Sequence, residues 1–324
     1  MVEPGAILMV VRGMSLKTEF RVGVAMRSVA FGQDCKALIP REGLLSHFLY
    51  YAIQAKAPEI LGLVDEAGHG TGRLNTDQLQ AVEIGLPPLG EQRAIAEVLG
   101  ALDDKIAANT RLATTADRLS GAIYTAMLGD GVDAPLSGLA DFMNGRAFTK
   151  GASGTGRVVV RIAELNSGIG ASTVYSDADV ADEYLARPGD MLFAWSGSLT
   201  LHRWFRPEAI VNQHIFKVIP RPDYPTWLVW HAIAGQLEYF RSVAADKATT
   251  MGHIQRRHLD ESVSIPSRDS VATHDAEMTG LWDRALLAQQ ENLTLAATRD
   301  ALLPALMSGA LRVRDAERLA ETLT

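Results

Sequence analysis

The chain has 324 residues, room for two domains, and its 47% apolar and 21% charged content is that of an ordinary folding protein. No run approaches the roughly 18 to 20 consecutive apolar residues that cross a bilayer. The first thirty residues lack a secretion-signal pattern, and the single cysteine, Cys35, excludes an internal disulfide, so a cytoplasmic protein with no membrane partner is expected. A formal charge of −7 argues against a protein that coats nucleic acid indiscriminately and leaves room for local basic patches.

The chain opens on a motif that it later repeats. Pro4-Gly5-Ala6-Ile7-Leu8 matches Pro188-Gly189-Asp190-Met191-Leu192, each followed by a short apolar strand and a glycine, at Gly13 and Gly197. Gly32-Gln33 through Leu38-Ile39-Pro40 matches Asn212-Gln213 through Val218-Ile219-Pro220, and Tyr51-Ala52-Ile53 matches His231-Ala232-Ile233 at the same offset of about 180 residues. Gly72-Arg73-Leu74, Leu79 and Pro87 correspond to Gly252-His253-Ile254, Leu259 and Pro266 with a one-residue slip. Gln33 and Gln213 stand beside apolar strands, where they are read as satisfying buried backbone groups rather than reaching a base edge. Gly68-His69-Gly70-Thr71-Gly72-Arg73 superficially resembles a phosphate-cradling loop but lacks the Gly-Lys-Ser/Thr ending and the third glycine of a dinucleotide fingerprint.

Each copy ends in a helix-like stretch, Glu91 to Leu128 and Asp269 to Ser308. In the first, Leu99, Leu102, Ile106, Asn109, Leu112, Ala116, Leu119 and Ile123 recur every three or four residues, a coiled-coil-like seam. In the second, Met278, Leu281, Ala285, Ala288, Asn292, Leu295, Leu302 and Leu306 form the same stripe, broken by Arg299. A helix of roughly 38 residues is about 57 Å long, a strut rather than a globule's core. Asn109 and Asn292 either pair across the two helices and fix their register or face water.

Gly129-Asp130-Gly131 stops the first helix and Gly309 the second, before a short charged tail. Between the helices, Arg157 to Ile162, Asp190 to Trp195 and Ile215 to Ile219 are strand-like runs among Gly, Pro and Asp turns, a mixed α/β globule. Residues 136 to 187 have no counterpart before Pro4, so about fifty residues are expected to be missing from the first copy, through a misassigned start, a natural truncation or completion by another chain.

The segment Leu86-Pro87-Pro88-Leu89-Gly90-Glu91-Gln92-Arg93-Ala94-Ile95-Ala96, continued by Leu99-Gly100-Ala101-Leu102-Asp103-Asp104-Lys105-Ile106 and Asn109, resembles the central region of type I restriction-modification specificity subunits. Arg299-Asp300-Ala301-Leu302-Leu303-Pro304-Ala305-Leu306-Met307-Ser308-Gly309 resembles the end of that family's distal helix. The resemblance implies an α/β (α+β) fold with two target-recognition domains separated by two long antiparallel helices, at 1–88 (incomplete at its N-terminus), 89–130 for the spacer helix, 131–267, 268–310 for the distal helix and 311–324 for the tail. It implies a non-catalytic chain that binds a bipartite site in double-stranded DNA and scaffolds two modification (methyltransferase) and two restriction (motor-nuclease) subunits. It implies no cofactor here, S-adenosylmethionine, ATP and Mg2+ being used by the partners. The alternative is a truncated regulatory or defective relative that occupies modification subunits without specific DNA recognition.

Base edges are read by Arg, Lys, Asn and Gln, with Ser and Thr assisting, and phosphates by positive charge. Arg187 to Arg257 holds nine Lys or Arg against five Asp or Glu, so DNA is placed there. Its candidates are Ser196, Ser198, Arg203 and Arg206 after a strand, then Lys247, Thr249, Thr250, His253, Arg256 and Arg257, the latter run being otherwise a solvated loop. The first copy offers Arg12, Lys17 and Arg73. Glu91, Gln92 and Arg93, with Asp103, Asp104 and Lys105, are candidates for docking the modification subunits, the first three alternatively complementing the helix dipole. His253 and His258 stand five apart without a Cys or carboxylate companion, so a metal site is not expected, and no catalytic constellation is present.

Overall fold

The computed structural model describes residues 1–67, 71–245 and 252–321. The chain divides into two compact units, Met1–Ala107 with Thr294–Thr324, and Ala108–Leu293.

In the first unit the strands are β1 (Ile7–Val10), β2 (Arg12–Gly13), β3 (Val22–Val24) and β4 (Cys35–Leu38), followed by the helices α1 (Ser46–Ala55) and α2 (Ala57–Gly62). β5 (Asp65–Ala67), β6 (Thr71–Arg73) and α3 (Thr76–Gln80) lead to the long helix α4 (Leu89–Met127), which continues into the second unit. β1 alternates inward Ile7 and Met9 with outward Leu8 and Val10, as a strand with one covered face must. It lies between β3 and β4, while β2, β6 and β5 form a second small sheet.

The second unit opens with β7 (Val132–Pro135), α5 (Leu136–Leu139) and β8 (Ala140–Asn144), then β9 (Arg157–Val160), α6 (Ile162–Ser167), β10 (Val174–Ser176) and β11 (Leu185–Ala186). β12 (Met191–Ala194), β13 (Leu201–Arg203), β14 (Ala209–Val211), β15 (Ile215–Pro220), α7 (Thr226–Ala245) and β16 (Ser262–Ile265) complete its body. α8 (Arg268–Met307) runs back into the first unit and α9 (Val313–Glu321) ends the chain.

The repeat read in the sequence is a repeat of topology. The order β3-β1-β4 recurs as β13-β12-β15. Its register recurs too: Ile7 opposite Leu38 and Val10 opposite Cys35 become Met191 opposite Val218 and Ala194 opposite Ile215. Residues 136–187, without a counterpart in the first copy, supply β8 as a fourth strand on β15 and most of a separate sheet, β10-β9-β14-β11.

Both long helices fall within two residues of the expected bounds. They run antiparallel in each unit. In the first, Leu99 and Leu102 pack with Leu295, Leu302 and Leu306, and Asp103 meets Arg299, the residue that breaks the stripe. In the second, Ala113 and Ala116 meet Ala285 and Ala288, small side chains that let the backbones approach closely. The expected seam drifts here: Ala113, Ser120 and Tyr124 are buried in place of Leu112, Leu119 and Ile123, and Leu119 is 47% exposed. Asn109 and Asn292 do not pair with each other. Asn109 Nδ2 donates to Glu291 (2.7 Å) and Asn292 Nδ2 to Thr110 (3.1 Å), two reciprocal cross-helix bonds that hold one register. The charged tail is not loose: Ala316 of α9 is buried among Phe48, Tyr51, Leu303 and Leu306. Among the described residues no helix is long and apolar enough to cross a membrane.

Candidate nucleic-acid interface

In the second unit four separated segments meet beyond one end of β12, β15 and β8. Asn144 ends β8 and Arg146 follows it, Trp195 to Ser198 follow β12, Gln213 and His214 precede β15, and His253 bridges back to Ser196. Backbone hydrogen bonds lock them: Trp195 N donates to His214 O (3.1 Å), Gln213 N to Arg146 O (2.9 Å), Ile254 N to Trp195 O (3.1 Å) and Gly197 N to Gly252 O (3.0 Å). The approach is so close at Gly145 that a Cβ would lie 2.2 Å from the Asn212 carbonyl oxygen, which excludes every other residue. His214, at φ 72, and Leu199, at φ 45, hold left-handed backbone that L-residues rarely adopt, strain that clusters at functional surfaces.

Half-buried Trp195 sits at the centre. Its Nε1 donates to Asn144 Oδ1 (2.7 Å), and its ring lies 5.0 Å from His214 and 6.3 Å from His253. Around it Asn144, Arg146, Ser198, Gln213, His214 and His253 are exposed. Ser198 Oγ accepts from Asn166 Nδ2 (2.8 Å), and Arg146 lies over the Tyr184 ring at 4.7 Å. Amide, imidazole and guanidinium groups on a rigid frame are donors and acceptors of the kind that meet base edges. Among the described residues, no group of three or more His, Cys, Asp and Glu is placed to hold a metal ion.

Several expected contacts lie elsewhere. Arg203 is buried: its guanidinium donates to Asp117 (2.6 Å) and packs 3.9 Å from the centre of the Trp282 ring, so it anchors the body of the unit to the long helices and is not available to DNA. Ser196 is buried, pinned by its bridge to His253. Arg206 is half-buried over the Phe205 ring (5.1 Å), and burial lowers its pKa. Arg256 and Arg257 are exposed, Arg256 Nη2 donating to Phe142 O (3.0 Å). Lys247, Thr249 and Thr250 lie outside the described residues. His258 is buried, accepting through Nδ1 from Gln255 N (2.9 Å), whereas His253 is exposed.

Much of the local basic surplus is paired with carboxylates of the same chain. Arg187 pairs with Asp182 and Glu208, Lys217 with Asp190, Arg221 with Asp141 and Arg241 with Glu238, in addition to Arg203 with Asp117. The two glutamines also depart from expectation, for Gln33 and Gln213 are both exposed and not buried against backbone. No short motif marks Asn144, Arg146 and His214, whose segments meet only in the fold. The one available signal was Gln213 beside a repeated strand.

In the first unit Arg12 and Arg73 stand directly opposite each other on β2 and β6, with Asp65 opposite Arg73 on the other side. Both arginines are exposed, as is Lys17 in a short 3-10 turn, Ser15–Lys17. Of the docking candidates, Glu91, Arg93 and Asp104 are exposed and Lys105 is half-buried. Gln92 is buried, its Nε2 donating to Gly43 O (3.0 Å) and Pro87 O (2.9 Å) and its Oε1 accepting from Leu45 N (3.0 Å). Asp103 accepts from Tyr51 OH (2.8 Å) and Arg299 Nη1 (2.7 Å). Both hold the helix to its own unit; burial removes Gln92 as a docking contact, whereas Asp103 is half-buried.

The class that these observations define is a duplicated α/β fold, each copy braced by a stretch of one antiparallel helix pair. Residues 18–116 match the family model of the type I restriction modification DNA specificity domain. A segment of 103 residues is 26% identical to the specificity subunit of the type I restriction enzymes EcoR124I and EcoR124II of Escherichia coli, covering 32% of this chain and 26% of that relative's length. The fold resembles the crystal structure of a type I restriction-modification S subunit from M. genitalium, with a TM-score of 0.60 at 16% identity over 95% of this chain and 84% of that one. Residues 18–116 thus match the type I specificity domain, and the chain is similar in that segment and in fold to type I restriction-modification specificity subunits, the family that its central and distal motifs resemble.

Proposed function

We propose that this chain is the DNA-reading subunit of a type I restriction-modification complex. It binds a bipartite site in double-stranded DNA, one half-site per repeat, and carries two modification and two motor-nuclease subunits. Methyl transfer and cleavage take place in those chains, with their S-adenosylmethionine, ATP and Mg2+, and this chain is not a catalyst. The observation that carries the reading is the duplicated fold whose first copy contains the matched specificity domain. The exposed set Asn144, Arg146, Ser198, Gln213, His214 and His253 supports base readout by the second repeat, since Asn and Gln pair bidentately with adenine and Arg with guanine. Arg12 and Arg73 serve the first.

The test is selection of bound duplexes from random DNA by the chain assembled with its modification partner. A split consensus is expected. Gln213→Ala and Arg146→Ala then relax positions in one half only, by about 1–3 kcal/mol per lost bidentate contact, and Arg12→Ala or Arg73→Ala weakens the other half. Absence of any consensus, or a consensus unchanged by all four variants, overturns the proposal.

A further inference from the structure

Asn212 opens the link 212–214 between β14 and β15, where the chain passes from one sheet of the second unit to another. It is buried, so its side chain does not itself meet DNA. Its backbone N donates to Val160 O (3.1 Å), continuing the pairing of β14 with β9, and it forms a parallel bridge with Arg146. Its side-chain Oδ1 accepts from Phe148 N (3.1 Å).

These contacts fix the chain on both sides of Arg146. Before it, Gly145 N donates to Ile215 O (3.0 Å); after it, Phe148 is tied to Asn212. The Arg146 carbonyl accepts from Gln213 N (2.9 Å), so the two exposed side chains leave backbones that are hydrogen-bonded to each other. Buried Tyr184 supports the Arg146 guanidinium from below, at 4.7 Å from the ring centre. In the first repeat the residue beside Gln33 is Gly32, which has no side chain to make the Asn212 bond.

We propose that Asn212 is a positioning residue that makes Arg146 and Gln213 one reading unit, the pair meeting a guanine and an adenine within two base pairs of each other. Arginine pairs bidentately with guanine and glutamine with adenine. Hydrogen-bonded backbones lie about 4.8 Å apart and bases in one strand follow every 3.4 Å or so, so side chains leaving them reach neighbouring or next-but-one base pairs. Asn212 acts by ordering the backbone before DNA arrives, which spares the pair part of the entropy lost on binding. The inference rests on the DNA-reading role proposed for the chain.

The test is duplex selection by the chain assembled with its modification partner, with hydrogen exchange on the same complex free of DNA. Arg146→Ala and Gln213→Ala should each lower discrimination at one position, roughly 5- to 150-fold, the two positions lying within two base pairs. Asn212→Ala should lower it at both positions by at least about fivefold while the other half-site is read as in the parent. Exchange should quicken at residues 146–148. Asn212→Asp keeps an acceptor for Phe148 N and should restore discrimination at both positions, even where the added charge weakens binding to every duplex alike. A residue that only holds the fold together would weaken binding to all duplexes alike or blur both halves. Parental discrimination by Asn212→Ala, equal loss in both halves, failure of Asn212→Asp to restore it, or read positions farther apart overturns the proposal while the parent keeps its split consensus. A parent that selects no consensus overturns the DNA reading, and the proposal with it.

Discussion

Replacing Arg203 separates a structural role from a DNA contact. Its side chain is 3% exposed and that of its partner Asp117 is 41% exposed. The charge-assisted hydrogen bond contributes about 1.5–3 kcal/mol net, and the contact with Trp282 about 1–2 kcal/mol more. Two terms work the other way. Asp117 rehydrates when its partner leaves, so the penalty for stranding a buried charge is not incurred, and the Arg203 Nε, buried without a partner among the described residues, costs about 1–3 kcal/mol that any replacement recovers. Arg203→Ala, which also leaves a cavity between Trp230 and Trp282, should therefore destabilise by about 2–4 kcal/mol. Arg203→Met, which refills that space, should cost about 1 kcal/mol and leave sequence selection by the assembled complex intact. Urea unfolding and duplex selection measure the two effects. If Arg203→Ala unfolds within about 0.5 kcal/mol of the parent and loses sequence selection, the side chain reaches DNA and the structural reading is refuted.

Further outcomes follow from single contacts. Asn109→Ala should cost about 1–2 kcal/mol, and a double-mutant cycle with Glu291→Ala should give a coupling of about 0.5–1.5 kcal/mol; additivity would mean that the two do not interact. Gln92→Ala strands the Leu45 amide and two carbonyls, for about 2–4 kcal/mol, with faster hydrogen exchange at Leu45 as its local signature. Burial brings His231 down to about 4, so it stays neutral where the unfolded chain takes up a proton, and stability falls as pH drops below the ordinary value of 6.5. Urea midpoints should show a loss of about 2 kcal/mol between neutral pH and pH 5. His231→Gln should flatten that slope, and an unchanged slope would place the proton elsewhere, burial lowering His202 in the same direction.

What could be read from the sequence followed from period and repetition. α4 and α8 came through because apolar residues recur at helical spacing over some forty positions, and the second unit's strands because Gly and Pro punctuate them. The seam failed where size mattered more than hydrophobicity. Between Ala113, Ala116 and Ala285, Ala288 the helices meet on small residues, which rotates the buried face and recruits Ser120, hydrogen-bonded to His231 at 2.7 Å, in place of Leu119. Charge counting placed DNA near Arg203 and Lys217 because nothing local marks their partners, Asp117 lying on the first long helix and Leu185 O on another strand. Asn144 and His214 reach Trp195, and Arg146 reaches Gln213, through the sheet, from positions that no short motif connects.

The central claim, that this chain chooses the DNA sequence on which a partner acts, is tested most directly by mapping methylated bases across the genome in cells with the gene and its modification partner, with the gene deleted, and with Gln213→Ala. The account predicts a split motif that disappears on deletion and relaxes in one half in the variant. A methylation pattern indifferent to the gene would contradict it.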